Sequence, residues 1–344
     1  MNTTPPSITG SNSPGKTAPT ALKRVRELTD HILGEPPKSA WLSASGCAQI
    51  VAELGLGEEA IMAAAIVPLV TGHPLWLEAI EKCVPEAVRK LLHEVAELEV
   101  IDQLDNLAGA PQSEEQNEKI RRLLLAMVND PRGVIVKLGI QLQWLRDAKQ
   151  LPLGERQHLA QITQKIYAPL ANRLGVWQLK WEMEDLSFRY LHPKTYKEIA
   201  GSLAERRVDR ERYMEETVAK LGAALASGKI SAEVKGRPKH IYSIWKKMIA
   251  KQLRFDELYD VRAVRVIVDD IPTCYSTLGV VHSLWTPIPS EFDDYIGSPK
   301  GNNYRSLHTA VRGPRGLNVE VQIRTQEMHD HAELGVAAHW RYKE

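Results

Sequence analysis

The spacing of apolar residues changes near residue 201, and this change restricts the fold more than any other feature. Before it, apolar side chains recur every three or four positions, as in Ile61 to Val70, Ala87 to Leu98 and Glu118 to Val128. After it, short alternating or β-branched runs are interleaved with helical segments. The sequence therefore predicts a multidomain protein, with an all-α domain followed by an α+β domain that contains a mixed sheet.

Composition places the domain boundaries. The first residues are rich in Thr, Pro, Ser and Gly, which bury too little apolar surface to offset the entropy of ordering. Residues 166–200 remain helical and contain Trp177 and Trp181, which we expect to pack as core residues. The predicted divisions are a disordered leader at 1–20, a helical domain at 21–165, a helical connector at 166–200 and the α+β domain at 201–344.

Charge and cysteine usage exclude several classes of protein. The 344 residues carry 44 basic and 43 acidic side chains, so long-range attraction does not favour coating of nucleic acid or membrane. Cys47, Cys83 and Cys274 form no CxxC pair, which argues against a disulfide framework or a zinc site. No apolar run has the length of a membrane span, and no secretory signal is present, so we expect a cytoplasmic protein with local anion sites.

The segment from Lys235 to Arg254 has seven basic residues and no acidic residue. Pro238 suits the first position of a helix, whose free N–H groups would attract an anion beside Arg237. Helical spacing predicts a polar face of Lys239, Ser243, Lys246 and Lys247. It predicts an apolar face of Ile241, Ile244, Trp245, Met248 and Ile249. We interpret the polar face as a phosphate site; a solvated basic face on a core helix is the alternative.

Two predicted strands bring carboxylates to the α+β domain. The run from Asp260 to Val268 reads as a buried strand with Asp260 at its mouth, and Val319 to Thr325 alternates between apolar residues and Glu320, Gln322 and Arg324. Asp260 and Glu320 beside a phosphate site suit Mg²⁺. The alternative is that each carboxylate pairs with a neighbouring arginine, such as Arg262 or Arg324.

A long segment rich in Pro and Gly separates the two strands. It runs from Thr286 to Asn303, and such a loop is either flexible or functional. Tyr304 follows it, and His308 is predicted on the next strand. Tyr304 is a candidate for stacking on a base, and the alternative is a tyrosine that closes the loop over the core.

Five blocks in this order resemble the synthetase domain of the RelA/SpoT family. The blocks are Ile166–Gly175, Gly236–Ser243, Phe255–Asp260, Val319–Thr325 and Ala337–Trp340. The resemblance implies a nucleotidyltransferase-like sheet and Mg²⁺-dependent transfer of pyrophosphate from ATP to the 3′-hydroxyl of GTP or GDP, which makes (p)ppGpp.

The resemblance also implies roles for individual residues. ATP and its phosphates would be held by Arg237, Lys239, Ser243, Lys246, Lys247 and Arg265. The guanine nucleotide would contact Asn302, Tyr304, His308 and Gln322, with Tyr304 on the base. Asp260 and Glu320 would be the catalytic and metal-binding carboxylates, with Glu320 either a base toward the hydroxyl or a metal ligand.

The guanine loop departs from the family pattern. Asn-Gly-Tyr-Gln is replaced by Asn302-Asn303-Tyr304-Arg305. Asparagine tolerates a left-handed backbone, so we expect the turn to survive. Arg305 would alter the preference between GDP and GTP or point into solvent.

A second loop carries the acidic pattern of synthetase-only members of the family, with Glu291, Asp293 and Asp294. These carboxylates would recruit further Mg²⁺, or they would form an ordinary acidic surface.

The helical domain resembles an HD phosphohydrolase whose metal ligands are lost. Pro68 and Leu69 stand where the His-Asp pair would fall, and Ile140 replaces the distant Asp. The first His ligand aligns near Ser43, and the acidic pair that follows the His-Asp pair is replaced by Gly72 and His73. Because Pro, Leu and Ile offer no ligand atoms, we expect no hydrolysis of (p)ppGpp. His73 and His93 are expected to be structural.

The sequence as a whole predicts a Mg²⁺-dependent pyrophosphokinase with a degenerate HD domain. The alternatives are a sensor that binds guanine nucleotides without turnover, a bifunctional synthetase and hydrolase, and an RNA-directed nucleotidyltransferase, which the near-neutral charge disfavours. Long family members continue beyond the segment matched here, and the sequence leaves open whether the chain is a fragment of such a protein. Contacts with the ribosome and uncharged tRNA would belong to that further region.

Overall fold

The computed structural model describes residues 17–33, 36–107, 130–205, 207–237, 240–252, 255 and 262–335. The predicted helix at Glu118–Val128, the first sixteen residues of the predicted leader, Pro238, Lys239 and Asp260 lie outside the described residues. The described chain divides into two compact units, one containing the residues up to 103 and 130–144, the other containing 104–107 and 145–335. The second unit thus takes up the end of the predicted helical domain and the whole connector.

The first unit is helical, as predicted. Its helices are α1 (Thr17–Leu33), α2 (Lys38–Glu53), α3 (Glu58–Val70), α4 (Pro74–Glu81), α5 (Glu86–Leu107) and α6 (Pro131–Asp147), of which the last two extend past the unit. Helix α3 carries apolar residues on every face, and most of its residues are buried. The predicted helices at Ile61–Val70 and Ala87–Leu98 are confirmed.

Helix α1 corrects the predicted end of the leader. It begins at Thr17, whereas the leader was predicted to extend to residue 20. Ala18, Ala21 and Val25 are fully or almost fully buried. These small side chains lie on one helical face and pack closely, which the composition of the segment did not reveal.

The second unit opens with helices. They are α7 (Leu153–Ile162), a π turn (Thr163–Tyr167), α8 (Ala168–Arg173), α9 (Trp177–Leu191), α10 (Pro193–Glu205) and α11 (Arg207–Ser227). Residues 166–200 are helical, as predicted, apart from a break where Gly175 takes φ 75° before α9 and another at His192 between α9 and α10. Left-handed backbone of this kind ends a helix at low cost when the residue is glycine.

A mixed sheet follows, as predicted. Its strands are β1 (Ala232–Arg237), β2 (Ala263–Val268), β3 (Thr286–Pro287), β4 (Asp293–Asp294), β5 (Leu307–Arg312) and β6 (Asn318–Thr325). Their order is β1-β2-β6-β5-β3, and β4 also pairs with β5. Only the β2–β6 pair is parallel among the described strands. The predicted long loop therefore contains two short strands.

One face of the sheet is the core of the second unit. Val264 and Val266 of β2 and Val321 of β6 are completely buried. They share a hydrophobic cluster with residues of α11 and of α13 (Ile271–Leu284), such as Leu221 and Val281. The alternation predicted for β6 is therefore confirmed, because its apolar side faces these helices.

Two more helices complete the unit: α12 (Ile241–Lys251) and α14 (Gln326–Leu334). Helix α12 starts at Ile241, so Pro238 is not its first residue as predicted. Ile244 packs against Phe188 and Ile199, but Ile249, predicted on the same apolar face, is 64% exposed. Among the described helices, none combines the length and apolar character that a bilayer crossing requires.

Candidate active site

The face of the sheet opposite the core carries polar residues in one register row. Lys235, Arg265, Gln322, His308 and Asp293 are Cα partners across β1, β2, β6, β5 and β4. Because side chains opposite each other in a sheet point to the same side, this row forms a continuous polar surface.

Glu320 lies in the adjacent row between two alanines. Its Cα partners are Ala263 and Ala310, and Ala263 is in turn paired with Arg237. Methyl side chains on both sides leave space around the carboxylate. Gln322 Nε2 donates to Glu320 Oε1 at 2.7 Å. Gln322 is 2% exposed and supports Glu320 from within the sheet, and its contact with the guanine nucleotide stays a prediction.

His308 connects Glu320 to Tyr304. The Tyr304 hydroxyl is 2.8 Å from His308 Nε2, and His308 Nδ1 is 3.7 Å from Glu320 Oε1. Burial lowers the pKa of His308 to about 4; Lys300 and Arg237 act in the same direction and Glu320 opposes them. The imidazole is therefore neutral at pH 7. If Tyr304 donates to Nε2, the remaining proton sits on Nδ1 and faces Glu320.

Tyr304 is buried among aromatic and cationic side chains. It is 8% exposed, and its ring centroid is 5.5 Å from that of Trp177. Lys300 Nζ lies 5.5 Å from the same ring, and Tyr295 approaches it edge to face. Trp177 and Lys300 thus lie against the ring on which a base is predicted to stack.

The loop before Tyr304 forms the turn expected for it. Asn303 has φ 58°, in the left-handed region that asparagine tolerates, as predicted. Asn302 Oδ1 accepts from the Tyr304 amide, and Asn302 Nδ2 donates to the Asn172 carbonyl at 3.2 Å. Arg305 is half-buried, with Nε shielded from solvent, so it does not simply point into water.

The acidic loop divides into two roles. Asp294 Oδ1 accepts from the amides of Ile296 and Gly297, and Oδ2 accepts from the Tyr275 hydroxyl. These bonds hold the pKa of Asp294 below its usual value, although burial acts to raise it. Asp294 therefore shapes the turn, and its part in recruiting an ion stays a prediction. Asp293, by contrast, lies in the polar row, and Glu291 is exposed.

A buried charge cluster lies between the sheet and α14. Glu333 Oε1 accepts from Arg324 at 2.9 Å and forms an ion pair with Arg265 at 3.1 Å. Arg324 is also 2.6 Å from His329 Nδ1, which must accept because a guanidinium only donates. Burial lowers the pKa of Arg265 to about 10, with Arg324 and Arg237 adding to the effect. Arg265, predicted to bind ATP, is thus part of an electropositive cluster in which two cations share one carboxylate.

The N-terminus of α12 already holds an anion. Asp185 of α9 accepts from the Tyr242 amide at 2.8 Å and from the Ile241 amide at 3.3 Å. It also lies 3.4 Å from His240 Nδ1. The free amides that were predicted to attract phosphate are therefore occupied by a side chain from α9, and the N-terminal part of the phosphate-site prediction is wrong.

A pocket between α9 and α12 contains the other predicted phosphate ligands. Its walls are Lys180, Glu184, Tyr242, Ser243, Lys246, Lys247 and Ala250. The structure thus brings Ser243, Lys246 and Lys247 together, whereas Arg237 lies on the neighbouring strand. Lys239 lies outside the described residues.

Helix α9 contributes a strip of aromatic residues that sequence reasoning treated as core. The Arg237 guanidinium lies 4.8 Å from the Trp181 ring centroid, and His240 stacks on the same ring at 5.0 Å. Trp177 lies between Trp181 and Tyr304, with centroid distances of 5.7 and 5.5 Å. Both tryptophans are only half-buried. The spacing Trp-x₃-Trp with Lys180, Glu184 and Asp185 is the signal that could have identified this face.

Glu320 fits one half of a magnesium site. Its carboxylate is 19% exposed on the polar face, close to cationic side chains that would hold phosphates. Mg²⁺ in proteins is commonly held by one or two carboxylates together with substrate phosphates, so this donor set suits the ion. Among the described residues, no three His, Cys, Asp or Glu side chains are grouped closely enough to bind a metal by themselves.

The first unit contains the positions compared with an HD metal site. Leu69 and Ile140 are buried, and Pro68 lies within α3. His73 stacks on Trp76 at 4.1 Å, and His93 lies 3.5 Å from Glu81. These two histidines have local partners, in keeping with the structural role expected for them.

Two family models match the chain. Residues 21–177 match the model described as "HD domain", and residues 236–344 match the "Region found in RelA / SpoT proteins". The order of the two matches along the chain agrees with the order of the helical unit and the mixed sheet.

Curated relatives match most of this chain. The GTP pyrophosphokinase of Escherichia coli (strain K12) is 49% identical over 296 residues, which are 86% of this chain and 40% of that protein. The probable GTP pyrophosphokinase of Mycobacterium leprae is 42% identical over 86% of this chain and 37% of that protein. The chain thus spans about 40% of the length of the curated relatives.

A solved structure, that of small alarmone synthetase 1 from Bacillus subtilis bound to pppGpp, is also similar. Its sequence is 21% identical, the match covers 42% of this chain and 92% of that chain, and the TM-score is 0.34. On the sequence matches, the chain belongs to the RelA/SpoT family.

Proposed function

We propose that this chain transfers pyrophosphate from ATP to the 3′-hydroxyl of GTP or GDP, producing (p)ppGpp and AMP. The observation that carries the proposal is the position of Glu320. It lies between Ala263 and Ala310 on the polar face, next to the polar row that contains Lys235 and Arg265, and 3.7 Å from His308 of the Tyr304–His308 pair. The relatives named GTP pyrophosphokinase support the same reaction.

Glu320 is the proposed base toward the acceptor hydroxyl. The 3′-oxygen attacks the β-phosphorus of ATP, the bond from that phosphorus to the bridging oxygen of the α-phosphate breaks, and AMP leaves. The hydroxyl proton passes to Glu320. Because burial keeps the pKa of His308 at about 4, the imidazole is neutral and forms no ion pair that would weaken Glu320 as a base.

The cationic side chains would align and neutralise the phosphates. Ser243, Lys246 and Lys247 line the pocket beside α12, and Arg237 and Arg265 lie on the adjoining strands. Phosphoryl transfer needs mainly alignment and charge neutralisation, which such a set provides. Mg²⁺, held by Glu320 and Asp260, would supply further neutralisation of the phosphate charge when bound. A cytoplasmic location is part of the same proposal.

Product analysis tests this proposal. Incubation with ATP, GTP and Mg²⁺ is expected to yield a guanine nucleotide with two additional phosphates. Glu320→Gln is expected to lower the rate by roughly 100-fold or more, because general-base catalysis typically contributes that much. Binding of GTP without any product in the wild type would instead identify a sensor.

We also propose that the HD domain does not hydrolyse (p)ppGpp. Pro68, Leu69 and Ile140 offer no metal-ligating atoms at positions compared with the ligands of active HD domains. The test is incubation of the protein with (p)ppGpp and Mn²⁺. Release of pyrophosphate above the rate of a heat-inactivated sample would show that the domain is an active hydrolase.

A further inference from the structure

The phosphate pocket contains a carboxylate of its own. Glu184 of α9 lines the same pocket as Ser243, Lys246 and Lys247. Its Oε2 lies 3.3 Å from Lys180 Nζ, and the two side chains are only 14% and 17% exposed. An anionic group thus stands inside a site whose other charged walls are cations.

This carboxylate interacts with more than its nearest lysine. Burial raises the pKa of Glu184, and the ammonium groups of Lys180 and Lys246 oppose that change. Burial lowers the pKa of Lys180, with Lys246 and Arg237 acting in the same direction and Glu184 against it. Glu184 therefore lies within electrostatic reach of the lysines that a phosphate would need.

The adjacent residue of α9 is also placed against α12. Asp185 accepts from the first two amides of the helix, at the end where an anion is most favoured. Two consecutive carboxylates from α9 thus face the positively charged surfaces of α12, one at its N-terminus and one in its pocket.

We infer that Glu184 is a resident anion that a substrate polyphosphate must displace from Lys180 before it can use the cations of this pocket, so that Glu184 limits the affinity of the pocket for phosphates. The inference rests on the proposed function, in which this pocket receives the triphosphate of ATP. A multiply charged polyphosphate gains more from the lysines than a single carboxylate does, whereas a monophosphate gains little over Glu184. The pocket would therefore favour polyphosphates over monophosphates.

Direct binding of inorganic tripolyphosphate tests the inference without requiring catalysis. Isothermal titration calorimetry would compare the wild type with Glu184→Gln, which keeps the shape of the side chain and removes its charge. The Glu184→Gln variant is expected to bind tripolyphosphate roughly fivefold more tightly at low salt, because one like charge a few ångströms from the ligand is removed. Orthophosphate carries less negative charge, so the same substitution is expected to raise its affinity by a smaller factor.

Glu182→Gln is the matched control. Glu182 lies on the same helix, and its carboxylate is bound by Arg146 at 2.6 Å and does not line the pocket. It is expected to leave tripolyphosphate affinity unchanged, and adding Lys246→Ala to Glu184→Gln should abolish the gain. An unchanged or weaker affinity of Glu184→Gln, an equal gain in Glu182→Gln, or no binding by any variant would each overturn the inference. Failure of the proposed function would appear separately, as absence of product in the assay with ATP and GTP.

Discussion

His308 shows how one buried side chain can set the chemistry of its neighbours. Its Nε2 lies 2.8 Å from the Tyr304 hydroxyl and its Nδ1 faces Glu320, so a proton donated by Tyr304 to Nε2 leaves the imidazole proton on the side of Glu320. A protonated imidazole at this position would attract Glu320 and reduce its basicity. Burial prevents this, because the pKa of about 4 keeps the ring neutral under ordinary conditions.

Tyr304 has two separable contributions, the ring and the hydroxyl. Tyr304→Phe keeps the ring but removes the partner of His308 Nε2, so kcat is expected to fall roughly tenfold with little change in KM for GTP. Tyr304→Ala also removes the proposed stacking surface, and KM for GTP is expected to rise roughly tenfold or more. Steady-state kinetics with GTP varied at saturating ATP would measure both. A KM for GTP that stays at the wild-type value in Tyr304→Ala would rule out stacking on this ring.

At the scale of elements, helix α12 shows where local sequence reasoning succeeds and where it stops. Its lysines and Ser243 follow from helical spacing, and they do share a pocket. The first residue of the helix could not be predicted in the same way, because Pro238 indicated a start three residues before Ile241. The group that caps the helix, Asp185, lies more than fifty residues away in the chain. Partners this remote in sequence leave no local pattern.

The strands illustrate the same division. The apolar sides of β2 and β6 were predictable because β-branched residues and alternation reflect burial on one face. The register that places Glu320 between Ala263 and Ala310 was not, since it depends on pairing between segments far apart in sequence. Similarly, the short pairing of Asp293 with His308 divides the acidic loop into residues of different roles.

The cap supplied by Asp185 is expected to position α12 for phosphate binding. Asp185→Ala removes the acceptor for two amides and should destabilise the protein by about 1–2 kcal/mol. The lysines of α12 then lose their fixed position. The fold-increase in KM for ATP is therefore expected to be several times larger than the fold-decrease in kcat. Thermal unfolding and kinetics with ATP varied would measure the two effects.

Asp270→Ala provides the matched control for this prediction. Asp270 accepts from the Thr273 amide at 2.8 Å and caps α13, which packs on the opposite, apolar face of the sheet. This variant is expected to lose a comparable amount of stability with no change in KM for ATP. If both variants change KM for ATP equally, the effect reflects general loss of stability and Asp185 has no specific positioning role.

For the whole molecule, the buried histidines of the sheet unit link its stability to pH. His308 and His329 both have a pKa lowered to about 4, in each case chiefly by burial. For His329, the cations of Arg324 and Arg265 add to the effect, and Glu333 opposes it. Below their ordinary pKa of about 6.5, these histidines bind protons in the unfolded chain but not in the native one, so stability must fall as pH falls.

The His329→Asn variant is expected to weaken this dependence. Between pH 7 and 5 each buried histidine should contribute a loss of about 2 kcal/mol, since the unfolded imidazole becomes charged and the native one stays neutral. Asparagine can still accept from Arg324 and does not titrate, so His329→Asn should lose about 2 kcal/mol less than the wild type over this range. Urea unfolding at pH 7, 6 and 5 measures the difference. His31→Asn, at an exposed position on α1, is the control and should follow the wild type. Parallel pH profiles for His329→Asn and the wild type would mean that His329 is protonated in the native protein as readily as in the unfolded chain.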